Sequence, residues 1–231
     1  MFTRDQVAAT IDHAVLKPFA TDQDIVDNAK MCAQRKVASM CVRPTDVALA
    51  AKELKDSGVD VSMVVGFPHG SNRTEVKTLE AKLAIEDGAV ELDMVMNVGK
   101  FLSGDYDFVQ KDIEAVVAEA KKSNVLVKVI QETCYLSAEQ VAKACKLCEA
   151  AGADFVKTST GFGVTSGGPT GATPEAVRIM LDTVGGRLQV KASGGIRSWD
   201  DAVGYLEMGC TRLGVGDAAA ILDGRPAAGA Y

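Results

Sequence analysis

The sequence predicts an α/β fold in which eight parallel strands alternate with eight helices and close into a single (β/α)8, or TIM, barrel. Short apolar runs alternate with polar-punctuated stretches from end to end. The chain has 231 residues, a normal length for one such barrel, and the runs are rich in Val, Ile and Leu. No linker interrupts the alternation, so residues 1–231 are expected to form one domain. A short N-terminal helix and a flexible tail from about residue 224 to residue 231 complete the prediction.

The apolar runs mark the strands, and the stretches between them mark the helices. The strands are expected near 9–13, 37–42, 61–66, 89–96, 125–131, 153–157, 187–192 and 210–214. The helices are expected near 22–35, 44–57, 73–87, 106–122, 137–150, 174–184, 198–208 and 216–223. A helix follows every strand, and such crossovers require a parallel sheet.

Capping signals support the helix boundaries. Thr21 with Asp24 and Ser137 with Gln140 have the spacing of capping boxes. Thr173-Pro174 puts a proline at the first helical position after a capping threonine. Glycines that precede a strand, as left-handed C-terminal caps do, are Gly58, Gly88, Gly152, Gly186 and Gly209.

These glycines give the strands a common register. Counting five residues past each one reaches Met63, Asp93, Lys157, Lys191 and Gly214. Because side chains alternate between the two faces of a strand, the shared offset predicts that all five face the barrel interior. Three of them are ionisable, and they lie toward the carboxyl ends of their strands, where active sites of this barrel are built.

Two lysines that end apolar strands suggest carbonyl chemistry. Lys157 and Lys191 are each followed at once by small residues. Two close amines each depress the other's pKa, and a neutral lysine forms Schiff bases. A shift from about 10.4 to about 7 corresponds to roughly 4–5 kcal/mol against the ammonium. We interpret Lys157 as the nucleophile, Lys191 as its electrostatic partner and proton donor, and Asp93 as a proton relay.

A structural role for these charges is the alternative. Asp93, Lys157 and Lys191 would then form an ion network inside the barrel without chemistry. Lys128 also faces the interior by parity, and we expect it to pair with Asp93 or Glu132 in a structural role rather than a catalytic one.

Glycine pairs in the last two strand-to-helix loops suggest an anion site. Gly194 and Gly195 follow the seventh strand, whereas Gly214 and Gly216 end the eighth. Loops at these two places form the usual phosphate cradle of this fold, because backbone amides exposed by glycine bind anions.

Four further residues lie near strand ends. Asp12 is a candidate for binding a substrate hydroxyl. The adjacent His13 is either a base or a hydrogen-bonded structural histidine. Cys41 is expected to be a buried thiol, although a position at the barrel mouth would expose it to aldehydes. His69 is expected to be a solvated turn residue.

The composition excludes several function classes. The net charge is −6 and no dense Lys/Arg cluster occurs, which argues against nucleic acid as a partner. No apolar stretch approaches the ~18 residues of a membrane span, so no membrane partner is expected. Six cysteines suggest reduced thiols and a cytoplasmic protein. The lone Cys145-Lys-Leu-Cys148 motif is expected to be buried packing, and no metal site is predicted.

At this point the sequence resembles the deoxyribose-phosphate aldolase family from about residue 8 to residue 214. The motifs that carry the resemblance are Asp12-His13 with Leu16-Lys17-Pro18, Cys41-Val42-Arg43-Pro44, Val65-Gly66-Phe67-Pro68 with Thr74-Glu75, Glu91-Leu92-Asp93-Met94-Val95, Lys128-Val129-Ile130 with Glu132-Thr133, Lys157-Thr158-Ser159-Thr160-Gly161 and Lys191-Ala192-Ser193-Gly194-Gly195. The resemblance implies a class I aldolase on a TIM barrel that needs neither metal nor organic cofactor. Its expected reaction is the reversible cleavage of 2-deoxy-D-ribose 5-phosphate to acetaldehyde and D-glyceraldehyde 3-phosphate.

The resemblance also implies roles for individual residues. Lys157 would form the Schiff base, Lys191 would tune it, and Asp93 would relay protons with Lys191. Asp12 would contact a substrate hydroxyl, and the C-terminal Tyr231 would help to exchange the enamine proton. The further residues expected to bind substrate are Cys41, Thr160, Gly161, Gly194, Gly195, Gly214, Gly216 and Asp217. Small aldehydes and a sugar phosphate are the expected partners, and a homodimer is possible.

One departure from the family pattern lies at the phosphate end. Family members commonly have serines after the glycine of the eighth strand, but this chain has Gly214-Val215-Gly216-Asp217. A carboxylate about 5 Å from a phosphate costs on the order of 3 kcal/mol at an effective dielectric of 20. Asp217 therefore predicts a preference for non-phosphorylated acceptors, unless it only caps the last helix and points outward. A barrel that binds sugar phosphate without catalysis is the remaining alternative.

Overall fold

The computed structural model describes residues 2–168 and 170–227. Eight parallel strands close into a barrel in chain order, which confirms the predicted fold class. The strands are β1 Ile11–Val15, β2 Ser39–Val42, β3 Asp60–Val65, β4 Glu91–Val95, β5 Leu126–Ile130, β6 Phe155–Lys157, β7 Gln189–Ser193 and β8 Arg212–Val215. Each strand lies within about two residues of its predicted range.

The helices form a layer around the strands. They are α1 Arg4–Ala8, α2 Asp22–Arg35, α3 Val47–Glu53, α4 Thr74–Glu86, α5 Val98–Leu102, α6 Tyr106–Lys121, α7 Ala138–Ala150, α8 Pro174–Val184, α9 Trp199–Met208 and α10 Ala218–Leu222. The capping boxes at Thr21 and Ser137 are both present, and Thr173 caps α8 ahead of Pro174. Two short helices, α1 and α5, lie outside the eight predicted ranges, and α1 is the expected N-terminal helix.

The five glycines chosen from the sequence adopt positive φ angles between 78° and 115°. The register derived from them holds for four strands and fails for one. Ser62 donates a hydrogen bond to Asp93 Oδ1 inside the barrel, so its neighbour Met63 points outward, where it belongs to the core between strands and helices. The prediction that Met63 faces the interior is therefore wrong, because the turn before β3 shifts that strand by one residue.

A buried ion pair fixes the end of β4. The Lys77 ammonium on α4 lies 2.6 Å from Asp112 on α6 and donates to the Val95 carbonyl at 3.0 Å, with no exposure of either side chain. Gly66 has a φ of +64°, and a Cβ there would lie 2.9 Å from Lys77 Cε. The buried cation thus pins the loop after β3 and the strand that carries Asp93.

The C-terminal segment returns to the barrel after α10. Asp223 accepts ion pairs from Arg4 and Arg35, which ties this end to α1 and α2. The Ala227 amide donates to the Arg197 carbonyl at 2.8 Å, in the loop between β7 and α9. Tyr231 lies outside the described residues.

Candidate active site

One carboxylate stands between the two lysines singled out from the sequence. Asp93 Oδ2 lies 2.7 Å from Lys157 Nζ and 2.7 Å from Lys191 Nζ, and all three side chains are buried. Lys157 pairs with Lys191 across β6 and β7, and the Asp93 carboxylate reaches both amines, so these three residues lie at one level of the barrel. The two amines therefore share a counterion instead of facing one another directly.

Further charges fill the barrel beneath this level. Lys128 Nζ lies 2.9 Å from Asp93 and 3.1 Å from Asp12, and it also contacts Glu91. Arg212 contacts Asp12 and Glu91. Asp12 in addition accepts hydrogen bonds from Ser39 and Lys191, so its oxygens are already occupied within the barrel.

The network keeps its carboxylates ionised despite their burial. Burial alone would raise the pKa of Asp12 and of Asp93, but the positive charges of Lys128 and the neighbouring lysines outweigh it and hold both pKa values below the ordinary range. Burial likewise opposes the charge of Lys128, yet Asp12, Asp93 and Glu91 raise its pKa well above the usual value. Lys128 therefore stays positively charged, and its role is structural.

The three lysines differ in how well their charges are compensated. Among the described residues, Lys128 has three carboxylate partners, Lys191 has two and Lys157 has one. Lys157 also ends its strand at the mouth, followed by small polar residues. Loss of a proton from Lys157 leaves the fewest carboxylates without a partner.

Glu132 has a different partner from the one expected. It does not pair with Lys128. Its carboxylate accepts hydrogen bonds from the Thr160 amide at 3.1 Å and from the Thr160 hydroxyl. The expectation that Lys128 pairs with Asp93 or Glu132 is confirmed through Asp93. Thr160 thus lies at the mouth with its hydroxyl hydrogen bonded to Glu132.

Two glycine-containing loops, after β6 and β7, meet at the mouth beside Gly214 of β8. Gly161, Gly194 and Gly195 have φ angles of 84°, 77° and 78°. A Cβ on Gly194 would lie 3.1 Å from the Gly171 Cα and 3.4 Å from the Gly161 Cα. Gly214 is equally confined, because a Cβ there would lie 2.6 Å from Ser193 Cβ and 3.3 Å from Lys191 Cε. Only glycine allows these backbones to approach so closely.

The opposite side of the mouth is apolar. Leu16, Cys41 and Val64 form a small cluster against which Phe67 packs. The ring of Phe162, in the loop after β6, contacts the Phe67 ring edge-on at a centroid distance of 5.3 Å. Cys41 is buried as expected, and burial, followed by the charge of Asp93, raises the pKa of its thiol.

His13 is hydrogen bonded inside the protein, and His69 lies exposed in a loop, as expected. His13 is buried; its Nε2 lies 2.6 Å from Asn28 Oδ1, and its Nδ1 accepts from the Ala218 amide at 3.4 Å. His69 is exposed in the loop after β3. Asp217 caps α10 by accepting from the Ala220 amide at 2.9 Å and is half-buried, while Gly216 beside it is exposed.

Sites for other chemistry are not apparent in the described ranges. Cys145 and Cys148 are buried free thiols beside the Gln131 amide. No group of three or more metal-ligating side chains occurs within residues 2–168 and 170–227. In the same part of the chain, no helix is long and apolar enough to cross a membrane.

Several residues of the charge network were not predicted from the sequence. Glu91 and Arg212 lie two residues before Asp93 and Gly214, so the same strand parity would have found both. Ser39 lies opposite Asp12 on the neighbouring strand, whereas Ser62 could not be found by this parity, because the glycine register placed its neighbour Met63 inside. The contact between Glu132 and Thr160 has no sequence signal, because it joins two irregular loops.

Comparison with known proteins agrees with this geometry. The sequence profile of the DeoC/LacD family aldolases matches residues 6–211. This chain belongs to that family. A curated relative from Clostridium perfringens, named deoxyribose-phosphate aldolase, is 48% identical over 228 residues that cover 99% of each chain. A relative of the same name from Thermococcus gammatolerans is 48% identical over 94% of this chain and 96% of its own.

Solved structures of aldolases have the same fold as this DeoC/LacD family member. The aldolase QR15 superposes with a TM-score of 0.88 at 40% identity and 94% coverage of both chains. A deoxyribose phosphate aldolase from Aeropyrum pernix, described as uniquely tetrameric, gives a TM-score of 0.88 at 31% identity, covering 96% of this chain and 91% of that one.

The buried His13 predicts a pH-dependent contribution to stability. Burial lowers the pKa of His13 below 6.5, although the hydrogen bond to Asn28 and the charge of Asp217 oppose it. The unfolded state then binds more protons, so this contribution is full above pH 6.5 and is lost as the pH falls toward the folded pKa, by at most about 1.4 kcal/mol per pH unit. In urea unfolding at pH 7 and pH 5.5, His13→Gln should lose less stability on acidification than the parent protein.

His69→Gln is the matched control, because His69 is exposed. It should follow the parent at both pH values. A His13→Gln variant that loses as much stability on acidification as the parent would contradict a buried neutral imidazole.

Proposed function

We propose that this protein reversibly cleaves 2-deoxy-D-ribose 5-phosphate to acetaldehyde and D-glyceraldehyde 3-phosphate through a Schiff base on Lys157. The carrying observation is the pair of buried amines that share Asp93 Oδ2 at 2.7 Å each. Curated relatives at 48% identity over nearly the full chain are named deoxyribose-phosphate aldolase, which supports this choice of reaction.

The division of labour follows from the charge pattern. Lys157 has the fewest described carboxylate partners of the three lysines inside the barrel and attacks the substrate aldehyde as a free amine. The carbinolamine loses water to give the imine, and Asp93 and Lys191, already hydrogen-bonded to each other, supply and accept the protons for this step. Lys128, held by three carboxylates, keeps the pKa of Asp93 low, so that Asp93 holds a relayed proton only transiently.

Carbon–carbon cleavage then proceeds at the same place. A base removes the proton of the substrate 3-hydroxyl, the bond between C2 and C3 breaks, and the electron pair moves into the iminium to form an enamine on Lys157. Protonation of the enamine carbon and hydrolysis release acetaldehyde and restore the amine. Asp93 with Lys191 is the pair within reach of Lys157 Nζ for these transfers, and Asp12 tethers Lys191 from below.

The glycine loops after β6 and β7, together with Gly214 of β8, are the proposed site for the far end of the substrate. Gly194 packs against Gly161 and Gly171, and Gly214 packs against Ser193, whereas a Cβ on Gly195 would meet only the Gly171 Cα, at 4.0 Å. Such backbone suits a phosphate or hydroxyl group of the substrate. Thr160 and Cys41 complete the walls of this mouth.

Trapping with borohydride tests the nucleophile. Incubation with acetaldehyde and sodium borohydride should leave one N-ethyl group on the protein, because reduction makes the imine permanent, and peptide mapping should locate it at Lys157. Lys157→Ala should give no adduct and lose about a thousandfold or more in kcat/KM. Lys146→Ala, an exposed lysine on α7, is the matched control and should behave as the parent. An adduct on another lysine, or turnover that survives Lys157→Ala, would refute the assignment.

A second candidate keeps the chemistry but prefers a non-phosphorylated acceptor. The observation in its favour is the Asp217 carboxylate, which stands at the mouth end of β8 beside Gly216. Capping of α10 explains why the carboxylate is tolerated there. Its negative charge still weakens the binding of a dianionic ligand nearby.

Asp217→Asn and Asp217→Ser separate charge from capping. Both remove the charge and keep a side chain that can cap a helix. If the carboxylate repels phosphate, each should raise the ratio of kcat/KM for deoxyribose 5-phosphate over deoxyribose, on the order of fivefold to tenfold after solvent screening. Steady-state kinetics with both sugars measure this ratio. An unchanged ratio in both variants would assign Asp217 to capping alone.

Self-association through α4 and a cytoplasmic location are also part of this proposal. Val76, Leu79 and Leu83 are 48%, 55% and 50% exposed and lie at helical spacing on one side of α4, away from its buried residues. In an antiparallel pair centred between Leu79 and Glu80, Val76 meets Leu83 of a second copy and Arg73 lies near Glu86 of a second copy. All six cysteines are free, which suits a reducing compartment.

Light scattering of Leu79→Glu tests the α4 contact. A buried charge at the centre of a symmetric apolar contact is unfavourable, so the variant should be monomeric where the parent is dimeric. Leu102→Glu on α5, which is 49% exposed in the parent, is the control and should keep the parent mass. A monomeric parent, or a Leu79→Glu protein of unchanged mass, would rule out this contact.

A further inference from the structure

Glu132 has an unusual backbone conformation for its residue type. It follows β5 with φ 53° and ψ 62°, in the left-handed region, and it is only 3% exposed. Glycine or asparagine adopts this conformation at lower cost. A buried glutamate in such a position indicates that the carboxylate serves a purpose.

The carboxylate of Glu132 organises the loop that follows Lys157. It accepts from the Thr160 amide at 3.1 and 3.4 Å and from the Thr160 hydroxyl. The Thr160 hydroxyl oxygen in turn accepts from the Phe162 amide at 2.9 Å. β6 ends at Lys157, so this chain of hydrogen bonds supports the backbone just beyond the strand.

The same loop sets the position of an aromatic ring over the mouth. Phe162 contacts Phe67 edge-on, and Phe67 packs on the apolar cluster of Leu16, Cys41 and Val64. Gly163 lies against Glu132 as well, since a Cβ there would be 3.5 Å from the Glu132 carboxylate. Glu132 on one side of the barrel is thereby linked to the apolar wall on the other.

Glu132 also lies within electrostatic reach of the nucleophile candidate. Burial raises the pKa of Glu132, whereas the hydrogen bonds from Thr160 and the positive charge of Lys157 oppose that rise. No contact joins the Glu132 and Lys157 side chains, so Glu132 acts through the loop and not on the reacting atoms.

We propose that Glu132 is a positioning residue for the aldol reaction: through Thr160 it holds the loop 158–163 and the Phe162 ring against the barrel mouth, so that the acceptor aldehyde is aligned above Lys157 and water is kept out. The proposal rests on the proposed function for its kinetic consequence. The loop contact itself is independent of that function.

A double-mutant cycle tests whether Glu132 and Thr160 act as a unit. Glu132→Gln weakens the carboxylate contact, and Thr160→Val removes the hydroxyl. Each should lower kcat/KM for the acceptor aldehyde by about tenfold to a hundredfold, mainly through KM, and the double variant should be no worse than the poorer single variant. The borohydride adduct with acetaldehyde should still form at Lys157. Thr160→Ser, which restores the hydroxyl, should recover most of the loss.

Hydrogen exchange gives a readout that does not depend on activity. Amides in the peptide covering 158–164 should exchange faster in Glu132→Gln and in Thr160→Val than in the parent, and Thr160→Ser should stay close to the parent. Glu139→Gln, an exposed glutamate on α7, is the matched control for the Glu-to-Gln change. Should Glu132→Gln fail to fold, the comparison of Thr160→Val with Thr160→Ser carries both readouts.

Each result points one way. Additive losses in the double variant, or unchanged exchange in this peptide, would overturn the positioning role. Loss of the Lys157 adduct in the parent itself would refute the proposed function, and faster loop exchange in the variants would then still support the structural half of the inference.

Discussion

The carboxylate of Asp93 is the contact on which the interior of this barrel depends. Its two oxygens reach Lys128, Lys157, Lys191 and Ser62, which come from four other strands. Removing one partner from a buried ion pair costs about 3–5 kcal/mol, because it leaves the other charge unpaired in a medium of low dielectric. A single side chain on β4 therefore ties together strands that the backbone hydrogen bonds connect only as neighbours.

The charges of this network are unevenly paired. Among the described residues, the network has three carboxylates, on Asp12, Glu91 and Asp93, and four basic side chains, on Lys128, Lys157, Lys191 and Arg212. The lower part is rigid, because its cations each contact two or three carboxylates. Lys157, at the mouth, has one described carboxylate partner, so it is the least tightly paired of the basic side chains in this network.

The barrel has two levels, a lower one of paired charged side chains and an upper one of glycine-rich loops. Charged side chains fill the interior up to Lys157 and Lys191, and glycine-rich loops follow immediately. The loop after β6 depends most on contacts with other loops, because β6 has only three residues. Glu132 and the edge-on contact of Phe162 with Phe67 provide that support from two other loops.

The sequence by itself determined the barrel, its strand limits and the three ionisable residues at one level. The period of the apolar runs, the caps and the glycines are local signals, and Asp93, Lys157 and Lys191 share an offset from such glycines. Only the tertiary structure decided the partners. A one-residue shift before β3 turned Met63 outward. Lys128 pairs with Asp93 and not with Glu132, and Glu132 instead binds Thr160. Each of these contacts depends on how strands and loops far apart in the chain meet in space.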